Sequence, residues 1–369
     1  MEHSRKRQRV ECEGEPSASD HGSPRPPVRD TKYYMEDGDC TILVENILFK
    51  VHRFLLSRDS SAFHDMFGLP GEHDKDAEGS SDENPVTLPG DTADEFRALM
   101  FILYALPHET QSYNTSQADV EHLVVIARIT NKYHFTSMAA WAFNALTDLV
   151  ISHPSCILRK SHYIERVVEV ALLANDKLLQ MACKLWTRKL RSGELPAVPA
   201  IIFADKHNLP DLQGHAYYAE AISPRSVLLN LPESAIAAPS STEQKLSQEQ
   251  RARLLSGYFA LVRLSDNLPY RSPDFPRSPD CPAVHHAAHC SATFRIIWGQ
   301  LASDTSVRRI PAADVRSKAA RVHELMQTHQ VVATMTLGCK ATALQAARGY
   351  PSVLVVAEMF RRDLTAVPP

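Results

Sequence analysis

Between Asp37 and Phe67 the chain reads DGDCTILVENILFKVHRFLLSRDSSAFHDMF, and its apolar period switches from two to between three and four. Cys40 to Val44 is a β-rich run and Asn46 to Val51 is a second. Glu45-Asn46 between them suits a tight turn, because Asn tolerates positive φ. From His52 to Leu56 the side chains Phe54, Leu55 and Leu56 cluster as on a helix. Ser60 is placed to cap a further helix carrying Phe63, Met66 and Phe67 at spacings of three and four. A hairpin running directly into two short apolar helices is a packing unit with no obvious reactive group.

The same residues resemble the BTB/POZ domain. Asp37, the alternating strand Thr41-Ile42-Leu43-Val44, Phe49-x-Val51-His52-x-x-Leu55-Leu56 and Ser60-x-x-Phe63-x-x-Met66-Phe67 follow that family's pattern in order. The wording EDGDC, SSDENPVTLPGD and LYALP is similar to the BTB proteins multiplied in mushroom-forming fungi. The resemblance implies a protein-interaction module, usually a homodimer. Its self-matching face is expected among Met35, Asp37, Leu55, Leu56, Phe63, Met66 and Phe67, several of which must also serve the subunit's own core. The resemblance also implies a structural role for His52, its ring bonding backbone at a helix start. Many such proteins deliver substrates to a cullin-type ubiquitin ligase through an apolar-x-Glu motif. Here the corresponding text is Leu88-Pro89-Gly90-Asp91, without the Glu. A scaffold, adaptor or transcriptional co-regulator is therefore the first reading and a cullin adaptor the alternative.

The rest of the chain divides by composition. Residues 1–32 read as a disordered tail, and its Arg5-Lys6-Arg7-Gln8-Arg9 cluster fits a nuclear-import signal. Residues 33–151 make an α+β unit. Within it, 71–85 reads as a polar surface loop, Thr92 and Glu95 form a capping box, and helices are expected over about 118–131 and 136–150. Residues 152–229 read as helical, similar to the BACK-type extension that follows many BTB domains. Asn131-Lys132-Tyr133-His134-Phe135 is echoed by Asp205-Lys206-His207-Asn208-Leu209, each a helix, a short turn and a helix. Residues 230–245 read as a linker. Residues 246–369 read as a second helical region, opened by a Ser247/Gln250 capping box and interrupted by a Pro-rich loop at 269–282.

Bulk properties narrow the function. A net charge of −3 and a pI near 6.6 give no general attraction to nucleic acid. No apolar run is long enough to span a bilayer, and MEHSRKRQRV offers no secretory leader. Seven cysteines without a CxxC pair fit a reducing compartment, nucleus or cytoplasm. There is no G-x-S-x-G, P-loop, H-E-x-x-H or strand-linked G-x-G-x-x-G, so neither an enzyme nor a cofactor is expected. An enzyme hidden in residues 246–369 and a metal-stabilised helical module remain as other classes. The second rests on Cys281-Pro-Ala-Val-His285-His286-Ala-Ala-His289-Cys290, where Cys281, His285, His289 and Cys290 are candidate zinc ligands and Cys339 a distant fifth donor. Against it stands a His-rich loop edge with two small half-buried thiols. Ser272 and Ser278, each before a proline, are candidate phosphorylation sites.

Overall fold

A computed structural model describes residues 26–68, 78–224, 245–329 and 334–361. The import-like cluster and all but the last residue of the 230–245 linker lie outside the described residues. The chain forms two compact units, one from Met1–Ser112 with His122–Ala142 and the other from Tyr113–Glu121 with Phe143–Pro369.

The first unit is built on a four-stranded sheet of order β1-β3-β2-β4. Strand β2 (Cys40–Val44) and β3 (Ile47–Val51) form the expected antiparallel hairpin, with Ile42 opposite Phe49. The turn differs in one respect: Glu45, not Asn46, takes positive φ, at 54°. Its carboxylate compensates by accepting the Ala93 backbone N–H at 3.0 Å. β4 (Val86–Thr87) runs parallel to β2.

β1 (Val28–Tyr34) was not expected, since it overlaps the span read as disordered tail. It pairs parallel with β3 through an irregularity between Arg29 and Tyr34. The polar text hid the strand because its key residue is an aspartate. Asp30 has a side chain only 1% exposed. Its Oδ1 accepts the backbone N–H of Lys32 (3.0 Å) and Tyr33 (2.8 Å), and its Oδ2 accepts Arg97 Nε at 2.8 Å. Burial pushes this carboxyl up, but the donors outweigh it and hold it below the usual value. Asp82, in the stretch read as a solvated acidic loop, likewise accepts Arg29 Nη2 (2.7 Å) and Tyr34 OH (2.7 Å).

Helix α1 (Arg53–Leu56) follows β3 at once, and α2 (Ala62–Phe67) is capped by Ser61 rather than Ser60. Asp59 and Ser60 occupy the left-handed region at φ 58° and 52°. That costs conformational energy, and it turns Asp59 to accept Ser137 N–H (2.9 Å) and Ser137 Oγ–H (2.8 Å). Helix α3 (Ala93–Tyr104) has both halves of the Thr92/Glu95 box and stops three residues before Pro107, which instead opens α4 (Pro107–Gln111). The core joins Ile42, Val44, Phe49, Val51, Leu56, Phe63, Phe96 and Leu99 with Ile129 of α5 (Val120–Lys132) and Phe135. Phe49 meets Phe96 edge-on at 4.8 Å, and Phe63 stacks on Tyr133 at 4.7 Å.

The second unit is helical. α6 (Thr136–Ser152) leads through α7 (Pro154–Ile157) to α8 (Ser161–Ala174), α9 (Asp176–Arg191), α10 (Ala197–Lys206) and α11 (Pro210–Ile222). Pro210 opens a helix rather than breaking one. The sequence echo is a repeated turn: His134 (φ 59°) and Asn208 (φ 51°) are both left-handed. Phe135 N–H returns to Thr130 O and Leu209 N–H to Ala204 O, satisfying helix-end carbonyls in the same way. α12 (Gln248–Asn267) starts at the Ser247/Gln250 box. Asp205 stitches α10, α11 and α12 together: its carboxylate accepts Gln213 Nε2 (2.6 Å), Tyr217 OH (3.0 Å) and Gln250 Nε2 (2.9 Å).

α13 (Ala283–His285) passes into a π-helical turn, His286–Cys290, and then α14 (Ser291–Ala302). α15 (Thr305–Arg308), α16 (Val315–Thr328), α17 (Leu337–Gly349) and α18 (Val353–Glu358) complete the unit. Trp298 is fully buried and donates its Nε1–H to Leu268 O at 2.7 Å. α18 approaches α11 so closely that a Cβ on Gly214 would lie 2.2 Å from Ala357 Cβ.

Candidate functional site

The seven residues expected on the interaction face separate by burial. Leu56, Phe63 and Phe67 are buried within their own unit. Their burial has a simple cause: α1 and α2 are so short that their apolar side chains are needed to close the sheet. Met35 and Met66 are half-buried against the same core, and Leu55 is half-buried. Asp37 is exposed. The residue that sequence reasoning passed over is Phe54, which is 73% exposed at the start of α1 with the Arg58 guanidinium 5.8 Å from its ring centroid. A phenylalanine inside the motif, outside its required positions, was the available signal.

His52 sits at the hinge between β3 and α1, but its ring bonds side chains rather than the backbone expected. Nδ1 meets Tyr104 OH at 2.8 Å, and Nε2 lies 3.4 Å from Asp37 Oδ2. Tyr104 OH also accepts the His52 backbone N–H at 3.0 Å. One tautomer satisfies all three contacts: Nε2–H donates to Asp37 while Nδ1 accepts from Tyr104. Asp37 is thus fixed beside α1 on the surface.

The loop before α3 turns inward. Gly90 takes φ +85°, and the Asp91 side chain, 3% exposed, accepts Nζ of Lys132, the last residue of α5, and the OH of Tyr133 just after it. Burial and the adjacent Asp91 carboxylate push the Tyr133 hydroxyl well above the ordinary range, so it stays a donor.

Residues 32–140 match the family described as BTB/POZ domain. The chain carries a BTB/POZ domain. The match ends two residues before the first compact unit does, at Ala142. No curated protein and no solved structure matches the chain. The BTB/POZ domain is a protein-interaction module rather than a catalytic one, so the first unit works by binding protein. Among the described residues, no helix is long and apolar enough to cross a membrane.

Among the described residues outside the BTB/POZ domain, a cleft and a cysteine-histidine cluster bear most directly on chemistry. A cleft between α9 and α11 is lined by Cys183, Arg188, Arg191, Asp211 and His215. Burial pushes the Cys183 thiol up to about 11, with the Asp211 charge adding to it. Burial and the cations Arg191 and Arg316 pull His215 down to about 4. Both groups are therefore neutral near pH 7, and the cleft holds no activated nucleophile.

The second place is the stretch with candidate zinc ligands. Cys281 and Cys290 are buried, not half-buried, with their sulfurs 4.0 Å apart. Cys339 of α17, fully buried, joins them, and His286 Nδ1 lies 3.3 Å from its sulfur. The donor atoms of Cys281, His286 and Cys339 all lie within 4.8 Å of one another, as do those of Cys281, His285 and Cys290. His285 is exposed, with its ring 5.0 Å from that of His289. His289 Nε2 turns to Thr334 O at 3.3 Å and is not part of the cluster. The structure thus brings His285 together with Cys281 and Cys290, as the spacing suggested, while the π-helical turn carries His286 to Cys339 and Cys281. Burial keeps the Cys281 thiol above its usual value. At Cys339 burial is outweighed by Thr336, the Ser278 backbone, His286 and Cys281, and the thiol falls to about 6. Ser278 is 3% exposed and donates to Asp280 Oδ2, which removes it as an accessible phosphorylation site.

Proposed function

We propose that this protein is an interaction scaffold that pairs with a second copy of itself through α1 of the BTB/POZ domain. It then presents its helical region, of BACK-like or related type, to other proteins as an adaptor or co-regulator in nucleus or cytoplasm. The observation that carries the reading is Phe54: a large apolar ring 73% exposed, next to half-buried Leu55. Covering one such ring is worth about 1.5–3 kcal/mol, and a two-fold axis counts it twice. Asp37, exposed beside His52, supplies a polar edge to the same surface.

The inward turn of Asp91 supports a scaffold over a cullin adaptor. The loop Leu88-Pro89-Gly90-Asp91 spends its acid on Lys132 and Tyr133 instead of presenting a Glu outward. Light scattering of the full chain tests the pairing. The expected mass is about twice 41.1 kDa, and Phe54→Asp is expected to give the single-chain mass with an unchanged circular dichroism spectrum. A wild-type chain that stays single at high concentration would overturn the reading. Capture of a cullin by the full chain as strongly as by a ligase adaptor would favour the alternative.

A further inference from the structure

We infer that Cys281, His286, Cys290 and Cys339 bind one zinc ion in a closed tetrahedral site that pins the Pro-rich loop to α14 and α17. The inference concerns the second unit alone and stands whether or not the BTB/POZ domain dimerises.

The geometry puts Cys281 at the junction of two donor triads, one with His286 and Cys339 and one with His285 and Cys290, so a bound ion draws Cys290 toward the first. Tetrahedral zinc with Zn–S of about 2.3 Å and Zn–N of about 2.0 Å sets sulfurs about 3.8 Å apart and sulfur from nitrogen about 3.5 Å. The Cys281–Cys290 separation is 4.0 Å and the Cys339–His286 separation 3.3 Å. A disulfide would need the first pair at about 2.05 Å and would leave the third thiol unused. The four donors come from the end of the Pro-rich loop, the π-helical turn and the start of α17. These segments otherwise share the core of Phe294, Trp298 and Met335.

The surroundings are fitted to hold the ligands. His286 Nε2 faces Ser291 Oγ at 3.2 Å, which orients the ring and leaves Nδ1 for the metal. Gly338, beside Cys339, allows the closest approach of α17 to the loop: a Cβ there would lie 2.0 Å from Ser278 Oγ. Thr336 Oγ1, three residues before Cys339, is buried and has no hydrogen-bond partner. Three thiolates and an imidazole select zinc over magnesium or calcium, which take oxygen donors. Binding exchanges the thiol protons for the cation, with no change in oxidation state. Four protein ligands leave no open position, so the role is structural and not catalytic.

The test uses the full chain, purified under reducing conditions and supplied with zinc chloride, then desalted. Elemental analysis is expected to give about one zinc per chain. Cys281→Ser, Cys290→Ser, Cys339→Ser and His286→Ala are each expected to lower retained zinc at least tenfold, while His285→Ala and His289→Ala retain it. Should the variants fail to fold, cobalt(II) substitution of the wild-type chain is expected to give the absorption of a tetrahedral thiolate site. Wild-type chain holding less than about a tenth of an equivalent of zinc would overturn the inference. So would octahedral cobalt absorption, or a Cys281–Cys290 disulfide found by peptide mapping of the protein from its own cells. Loss of zinc in His285→Ala with retention in His286→Ala would overturn the assignment of the fourth ligand.

Discussion

Replacing Asp30 by Ala tests whether β1 is a working part of the BTB/POZ unit, since the family match begins only at residue 32. The side chain is 1% exposed and accepts from Lys32 N–H, Tyr33 N–H and Arg97 Nε. Removing it orphans the N–H of Tyr33, a buried residue, at about 1–3 kcal/mol. Lys32 is exposed, so its N–H returns to water at little cost. Arg97 is 40% exposed and keeps Asp94 at 2.5 Å, so its charge is not stranded. Losing its charged hydrogen bond adds about 1–2 kcal/mol, for a total of about 2–5 kcal/mol. Asp30→Asn keeps one acceptor and should cost about half as much. Urea unfolding of the full chain gives the energy, and hydrogen exchange at residues 28–34 shows where the loss falls. An Asp30→Ala chain within about 0.5 kcal/mol of wild type, with exchange at 28–34 unchanged, would refute the account. The wild-type carboxyl lies below the unfolded value of 3.8, so its contribution is complete above that pH. It is lost as pH falls through the lower folded value, and Asp30→Ala should lack that part of acid unfolding.

Other outcomes follow from single contacts. Phe63→Ala should cost about 3–5 kcal/mol in a melt at any concentration, because the ring is 2% exposed, whereas Phe54→Ala should act through pairing alone, its effect fading in chain dilute enough to be single. Gly214→Ala places a methyl 2.2 Å from Ala357 Cβ and should lower stability by about 1–3 kcal/mol, with Ala357→Gly in the same chain restoring only part of it, since Ala357 Cα would still lie 2.8 Å from that methyl. His215, faced by Arg191, Arg316 and Asp211, has its folded value at about 4 against 6.5 unfolded, so the unfolded chain binds more protons between those values. Stability should therefore fall on acidification from pH 6.5 to 4, by up to about 2–3 kcal/mol. His215→Gln should flatten that part of the pH profile, read from urea midpoints.

Local signals in the sequence carried through where one physical rule dominated. The hairpin, both capping boxes and the helices expected over about 118–131 and 136–150 depend on neighbours in the chain, so pattern located them within a few residues. The echo at 131–135 and 205–209 was legible because helix ends repeat the same left-handed residue and the same apolar return. The misses needed long-range partners. β1 is held by an arginine 67 residues away, and no local window contains that pair. Ser61 displaced Ser60 as a cap because Asp59 is drawn to Ser137. Which of Leu55, Leu56, Phe63 and Phe67 faced inward depended on where α5 lay, so equal hydrophobicity gave no discrimination. At Cys281–Cys290 the gathering of Cys281, His285 and Cys290 was legible from spacing, but the approach of His286 to Cys339 was not, since that partner lies 53 residues away.

The carboxylate of Asp205 has a consequence for how this chain can change. It gathers an amide from α11, a tyrosine from the same helix and an amide from α12, so three helices agree on one acceptor. The phase of α12 is thereby set through space rather than along the peptide path leading to it. Residues lost or gained in that path leave the acceptor and its donors intact, whereas Asp205→Leu would release the three helices at a stroke. Drift in this protein should accordingly gather between the helices and spare that single acid.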